Sequence, residues 1–270
     1  MALYDIIDEI ASRQVTKTET GDTRAYGVMV GVVAKNYDKD MPGRVCVTIP
    51  TRDKEANELQ WVRLVQPSGG PKWGHYFLPE IGDQVLLAFE NGNIEKPYLI
   101  GCVSKDRDQF LSRSVDPDNT VKRIVTRNGS ALTFEDNKEG EGDKDCITLS
   151  TAKSTHTLKL DNENGLISLT DKKGENSINL KTVDGTMNIK AKSRITVEVG
   201  DKIKLIMNGE TGAVRLECDA LNLQASQKVS VKTDGMMKVD ASQISEKASS
   251  MYKTESGGIV SISGSPIKMG

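Results

Sequence analysis

The second half of the chain repeats one short pattern of apolar residues around a glycine. The pattern h-x-h-x4-G-x-h-x-h, where h is apolar, occurs three times: at Leu158, Leu160, Gly165, Ile167 and Leu169; at Ile178, Leu180, Gly185, Met187 and Ile189; and at Leu205, Met207, Gly212, Val214 and Leu216. Alternating apolar and polar residues predict half-buried strands, and the glycine predicts a turn between them. An internal repeat of about twenty residues is typical of stacked architectures, in which each unit buries its apolar face on its neighbours.

These repeats carry few large apolar side chains, which limits the ways in which they can fold. Each such side chain contributes about 1.5–3 kcal/mol when fully buried, whereas ordering one residue costs about 1.5 kcal/mol. The apolar face must therefore be closed, either by coiling one chain into a solenoid or by winding identical chains around one axis. Gly185 follows Gly165 by 20 residues and Gly212 follows Gly185 by 27. These unequal intervals favour a prism of three chains, while a solenoid or a long meander stays open.

The first half has a different composition and predicts a separate domain. Apolar residues alternate in two short runs that follow turn residues: Val45, Val47 and Ile49, and Val85, Leu87 and Phe89. Asn91 and Gly92 predict a hairpin after the second run. Such short strands with frequent turns predict a small barrel or sandwich. Of the twelve aromatic residues only Phe134 and Tyr252 lie beyond residue 110, which indicates a domain boundary near that point.

Four segments are predicted along the chain. Residues 1–24 form a short helix and a tether, 25–105 the barrel, 106–125 a linker, and 126–270 the repeat domain. The helix places four apolar residues on one stripe, and it is too short to be stable without docking on another surface. The stripe consists of Leu3, Ile6, Ile7 and Ile10.

Charge and cysteine content exclude several classes of protein. The net charge of −2 gives no basic excess for nucleic acid, so none is expected as a partner. The N-terminus has acidic residues where a secretory signal would need basic and apolar ones, which predicts assembly in the cytoplasm. The cysteines lack the spacing of a metal or redox pair, so they are expected to be buried, reduced thiols. They are Cys46, Cys102, Cys146 and Cys218.

Candidate catalytic residues are few. His75 and His156 have no serine or cysteine nearby in sequence to activate, so a structural or surface role is expected. Glu135, Asp136 and Asp161 could pair for glycoside hydrolysis, but the surrounding segment lacks the aromatic platforms of a sugar-binding cleft. The sequence therefore predicts a protein without catalytic activity, cofactor or metal.

The barrel segment resembles the OB-fold domain of phage baseplate assembly protein V and of the valine-glycine repeat protein G (VgrG) family. The run PEIGDQVLLAF, residues 79–89, is the most specific part of this resemblance. The matching positions are Gly31, Asp38, Gly43, Arg44, Val45, Trp61, Arg63, residues 79–85, Phe89, Gly92, Pro97 and Gly101. Residues 127–136 are similar to the family's entry into a spike domain, and the glycine repeats are similar to the body of that domain.

This resemblance implies an all-β protein: an OB-fold barrel followed by an intertwined trimeric β-helix with the shape of a triangular prism. It implies a non-enzymatic central spike of a contractile injection apparatus, which contacts the target cell envelope transiently and is carried in a phage or related particle. A separate hub protein is expected at the N-terminal stripe, because the sequence has no large hub domain. The absence of a His-x-His motif near the end favours a separate PAAR-like tip protein. That protein would dock on Ile267, Lys268, Met269 and Gly270.

Two alternative functions remain open on the sequence alone. One is a β-helical enzyme that degrades glycans, which would use carboxylates such as Glu135 and Asp136. The other is a receptor-binding fibre, which would bind glycan or envelope through residues 120–270.

Overall fold

A computed structural model describes residues 24–50, 58–106 and 108–268 of the chain. The predicted N-terminal helix, with Leu3, Ile6, Ile7 and Ile10, lies outside these residues, as do Met269 and Gly270 at the predicted tip-docking end. The chain divides into two compact units, Met1–Ile195 and Thr196–Gly270. Nearly all of its regular structure is β, as predicted.

Five strands of the first unit close into a barrel. They are β1 (Val28–Lys35), β2 (Arg44–Thr48), β3 (Glu58–Leu64), β4 (Gln84–Phe89) and β5 (Pro97–Cys102). The order around the barrel is β1-β2-β3-β5-β4, and only the β3–β5 pair is parallel. The predicted barrel is confirmed, and β4 and β5 form the predicted antiparallel pair around Asn91 and Gly92. Both residues of that loop have positive φ, which matches the turn preference of Asn-Gly.

The alternating residues of the barrel strands form its core, as the sequence predicts. Val45, Val47, Ile49, Val85 and Leu87 are completely buried. Because successive side chains of a strand point to opposite faces, the intervening residues belong to the other face of each strand, where Cys46 is buried as well. The core is aliphatic apart from Phe89, so most aromatic rings of this half serve elsewhere.

Seven strands follow as one antiparallel meander. They are β6 (Val121–Val125), β7 (Ala131–Glu135), β8 (Cys146–Ser150), β9 (His156–Asp161), β10 (Leu166–Asp171), β11 (Ser177–Lys181) and β12 (Thr186–Lys190). Each strand pairs with its neighbours in sequence. The approach to β6 is ordered by the carboxylate of Asp116, which accepts hydrogen bonds from the backbone N–H groups of Asp118, Thr120 and Val121.

The predicted linker, residues 106–125, contains regular structure. It holds one four-residue α-helix, Gln109–Ser112, and strand β6, so the meander begins before residue 126. The four predicted segment boundaries stay predictions, since the division into compact units falls at a different place, after Ile195.

The second unit contains the last regular strands. Strands β13 (Arg194–Val199), β14 (Ile203–Asn208) and β15 (Ala213–Glu217) form a three-stranded sheet in that order, with β13 starting at the end of the first unit. Beyond them, residues 218–268 contain no helix or strand. No backbone-to-backbone hydrogen bond joins this segment to any described residue. Its apolar side chains are exposed, among them Leu223, Met236 and Ile259.

Each copy of the sequence repeat is one β-hairpin, and its glycine lies in the turn. The hairpins are β9–β10, β11–β12 and β14–β15. Gly165, Gly185 and Gly212 have φ values of +53°, +63° and +65°, the left-handed region that L side chains rarely adopt. The repeat glycines therefore act as predicted, by allowing the chain to reverse between two short strands.

Of the first two turns, the one at Gly165 has less space for a side chain. A Cβ atom there would lie 2.5 Å from Cγ2 of Val183 and 2.9 Å from Oγ1 of Thr182, whereas one on Gly185 would meet no atom within 4 Å. The carbonyl of Gly165 also accepts hydrogen bonds from the N–H and the Oγ1 hydroxyl of Thr182, at 2.8 and 3.0 Å, so the two turns lie tightly together.

We expect Gly185→Ala to lower the free energy of unfolding by about 1 kcal/mol, through backbone conformation alone. Gly165→Ala is expected to cost about 1–3 kcal/mol more, because the added methyl overpacks the turn. Thermal denaturation of both variants at one protein concentration measures the difference. Gly185→Asn, which tolerates positive φ better than Ala, is the control and should recover part of the loss. Equal melting temperatures for the two alanine variants would contradict this account.

Candidate functional site

One face of the seven-stranded sheet carries an apolar residue from every strand, each directly opposite the next. This first row crosses all seven strands through Ile124, Leu132, Leu149, Leu158, Leu169, Ile178 and Ile189. A second row begins with Lys122 on β6 and continues through Phe134, Ile147, Leu160, Ile167, Leu180 and Met187. We call the two rows together the apolar face.

The sequence repeat supplied only part of the apolar face. Its apolar positions on β9 to β12 pair with one another, as Leu158 does with Leu169 and Ile178 with Ile189. The residues of β6, β7 and β8 lie outside the three copies of the repeat, so the repeat did not predict them. Their signal is the pairing itself: Ile124 lies directly opposite Leu132, and Leu132 lies opposite Leu149.

Most side chains of the apolar face are exposed in the single chain. Leu169 is 48% exposed, Ile189 is 56% and Met187 is 62%. A soluble protein rarely presents a continuous apolar surface of this kind unless another surface covers it. The apolar face is therefore the candidate functional site of the chain.

The opposite face of the same sheet is polar, yet it is better covered. Its central row runs through Thr148, Lys159, Ser168, Asn179 and Asn188. Ser168 is only 9% exposed, less than its apolar neighbour in sequence, Leu169. In the single chain the polar face of the sheet is thus more buried than the apolar face. This distribution indicates that another surface covers the apolar face.

The three candidate catalytic carboxylates, Glu135, Asp136 and Asp161, all line one surface cleft of about 590 Å³. Ion pairs occupy two of them: Nζ of Lys122 lies 2.6 Å from Asp136, and Nζ of Lys159 lies 2.7 Å from Asp161. The hydrogen bond from Lys159, with further ones from the side chain and backbone of Asn164, lowers the pKa of Asp161 to about 2. Asp161 is therefore ionised at neutral pH and is unsuited to act as a general acid.

Neither histidine has an activating arrangement in the structure. The ring of His75 stacks on Phe77, with centroids 4.8 Å apart, and its backbone N–H bonds to the carbonyl of Ser68. His156 is exposed at the start of β9, where its backbone N–H donates to Oγ1 of Thr151. Across residues 24–50, 58–106 and 108–268, no cluster of three or more His, Cys, Asp or Glu side chains could hold a metal ion.

The cysteines are free thiols, but the expectation that all are buried was wrong. Cys46 and Cys146 are buried, whereas Cys102 is exposed and Cys218 is partly exposed. Cys102 ends its strand at the barrel rim and Cys218 directly follows β15. Thiols at strand ends lose the cover that neighbouring strands give to residues further inside.

At the C-terminal end, the predicted tip-docking residues Ile267 and Lys268 are both exposed. Over the part of the chain that the structure describes, no helix has the length and apolar character needed to span a membrane.

The fold therefore defines a class of protein with an OB-type barrel followed by repeated β-hairpins that present an uncovered apolar face. Residues 29–103 match the family model of the type VI secretion system/phage-baseplate injector OB domain. This match covers β1 to β5 almost completely, so the barrel as a whole is similar to the injector OB domain.

Similarity to curated proteins extends beyond the barrel. The chain is 23% identical to the type VI secretion system spike protein VgrG1a of Pseudomonas aeruginosa, over 89% of this chain and 42% of that protein. It is 30% identical to the spike protein VgrG3 of Vibrio cholerae, over 44% of this chain and 12% of that protein. The chain thus spans less than half the length of these relatives. The predicted resemblance is confirmed: the chain is similar to the baseplate V injector domain in its barrel and to VgrG spike proteins over most of its length.

The low pKa of Asp161 predicts an acid-sensitive contribution to stability. Because its pKa lies below the ordinary value of 3.8, the ionised carboxylate stabilises the fold fully above that pH. This contribution is lost as the pH falls through about 2. The melting temperature of Asp161→Asn should therefore lie below wild type at pH 5 to 7, and the gap should close toward pH 2.

Asp184→Asn is the matched control for this experiment, because Asp184 forms only an exposed ion pair of 4.0 Å with Lys181. We expect its melting temperature at neutral pH to stay close to wild type. A constant gap between wild type and Asp161→Asn from pH 7 to pH 2 would contradict the role given to the Asp161 carboxylate.

Proposed function

We propose that three copies of this chain form the central spike of a contractile injection apparatus, with their apolar faces turned to a shared axis. The continuous apolar face carries this proposal. A single layer of sheet cannot cover its own face, whereas three copies placed around an axis cover one another. The relatives named as spike proteins support this function, and they favour neither a glycan-degrading enzyme nor a receptor-binding fibre.

Residues 218–268 give independent support for intertwined chains. This segment has many exposed apolar residues and no backbone hydrogen bonds to the described residues. Burial of unpaired backbone groups costs free energy, so an ordered segment of this kind needs partner strands. In the proposed trimer the other two chains provide them, and the three segments wind together as a β-helix.

A spike of this kind works mechanically. Strands that run around a closed prism leave no free edge along its length, and every layer bears on the next. Load applied along the axis then meets a stiff stack of hydrogen-bonded strands. No catalytic group is needed for this role, so we propose that the described part of the chain acts without enzymatic activity.

The same proposal assigns partners and a location. A separate hub protein binds the barrel end, where the stripe of Leu3, Ile6, Ile7 and Ile10 contributes. A PAAR-like tip protein caps the other end at Ile267, Lys268, Met269 and Gly270. The trimer is assembled in the bacterial cytoplasm and becomes part of the particle baseplate, from which it contacts the target envelope transiently.

The trimer is tested by the mass of the protein in solution. We expect light scattering after size exclusion to give three times the chain mass of 29.5 kDa. Ile178→Asp places a carboxylate on the apolar face of each chain, at a cost of about 3 kcal/mol or more per copy, and should abolish the trimer. Asn179→Asp changes the next residue, on the polar face, and should retain the trimer mass. A monomeric wild type, or equal masses for the two variants, would overturn the proposal.

Hydrogen exchange tests the role of residues 218–268. In the trimer we expect amides of 221–262 to exchange as slowly as those of hairpin β14–β15, since both would lie in interchain or intrachain ladders. The exposed turn around Gly140 provides the fast-exchanging reference within the same sample. Exchange of 221–262 at the rate of that turn would show that other chains do not pair with the segment.

A further inference from the structure

The outer wall of the barrel contains a cleft of about 290 Å³ that the proposed spike function does not use. Its lining includes Arg44 from β2, Trp61 and Arg63 from β3, Tyr98 from β5, and Lys96 just before β5. The cleft thus combines three cationic side chains with two aromatic rings. All of its lining residues belong to the barrel of a single chain.

Two arginines of this cleft face each other across neighbouring strands. Arg44 and Arg63 are directly opposite in the β2–β3 register, next to the buried pair Val45 and Val62. Like charges in directly opposite positions destabilise a sheet. Within the described residues neither guanidinium has a hydrogen bond or an ion pair. The pair is therefore poised to receive an anion that accepts hydrogen bonds from both side chains.

Trp61 is held in a strained conformation beside this pair. Its φ is +49°, in the left-handed region that is unusual for a bulky residue. The β2–β3 register shifts between Val45 and Val47, so β3 carries a bulge at this point. Bulges re-aim side chains, and backbone strain of this type is concentrated at functional positions. Here the bulge positions the indole of Trp61 in the same cleft as the two arginines.

The remaining groups of the cleft decide which kind of anion fits. Tyr98 lies opposite Arg63, and its hydroxyl is 3.4 Å from the carboxylate of Glu90. Glu95 lines the same cleft. Three cations beside two carboxylates leave an excess of about one positive charge, which matches one carboxylate better than a run of phosphates. A single carboxylate with an apolar neighbour fits the arginine pair and the indole together.

We propose that this cleft is a docking site for an acidic segment of another protein. A carboxylate of that segment binds both Arg44 and Arg63, and an adjacent apolar side chain lies against Trp61 and Tyr98. The occupant that we propose is a separate protein, and a second copy of this chain is one of the outcomes that the test distinguishes. The inference goes beyond the spike function and does not rest on it.

Tryptophan fluorescence of the full-length protein tests the site. The chain has two tryptophans, so Trp73→Phe leaves Trp61 as the only one. The probe is a capped Asp-Leu-Asp peptide, and the capped Asn-Leu-Asn peptide is its uncharged match. We expect a saturable change in Trp61 emission with the acidic peptide, and binding at least about tenfold weaker for the amide peptide.

Variants made in the Trp73→Phe background test whether the acidic peptide binds in the cleft. Arg44→Gln and Arg63→Gln should each weaken the acidic peptide at least about tenfold. Lys72→Gln, which removes a barrel cation outside the cleft, should leave its affinity unchanged. The solution mass of each variant is measured alongside, so that a change in assembly is distinguished from a change in the cleft.

Four results would overturn the proposal. They are no saturable response to the acidic peptide, equal binding of the two peptides, tighter binding of a short oligothymidylate than of the acidic peptide, and loss of the wild-type mass in Arg63→Gln. The third would make the cleft a nucleic-acid site, and the fourth would make it a contact between copies of this chain. The titration follows Trp61 and the mass measurement follows assembly, so failure of this proposal and failure of the trimer are distinguishable.

Discussion

The structure depends on the cross-strand register of the meander. Because each hairpin pairs Leu158 with Leu169, or Ile178 with Ile189, the apolar residues of seven strands fall into continuous rows. A slip of one residue would send each strand's apolar side chains to the other face. The positive φ of Gly165 and Gly185 fixes the turns that set this register. The uncovered apolar face, on which the proposed trimer rests, follows from these local constraints.

The sequence predicted the structure correctly where the local alternation of apolar and polar residues decides which face of a strand is buried. The alternation of Val45, Val47, Val85 and Leu87 predicted strands of a small barrel or sandwich. These residues are completely buried, because a closed barrel has one inside. The three glycine repeats were predicted as strands around turns, and each is a hairpin. The glycine supplies that signal itself, since few other residues adopt the left-handed conformation at so low a cost.

What the sequence did not reveal depends on neighbours distant along the chain. The bulge at Trp61 shifts the register between β2 and β3, and no alternation pattern predicts the φ of +49° that results. The facing of Arg44 and Arg63 follows from that register and was missed for the same reason. Ser168 is buried although its strand neighbours suggest a polar, solvated face, because cover comes from the surrounding strands rather than from the residue itself.

The hairpins and residues 218–268 become ordered at two different stages in the assembly of the proposed spike. Hairpins of five- and six-residue strands close through short loops, within microseconds, and need only one chain. The terminal segment has no partner within its own chain, so its ordering waits for an encounter of three copies and slows steeply on dilution. Newly made chains would therefore carry a structured first unit and a protease-sensitive end. The length of that interval is set by the concentration of the protein in the cell.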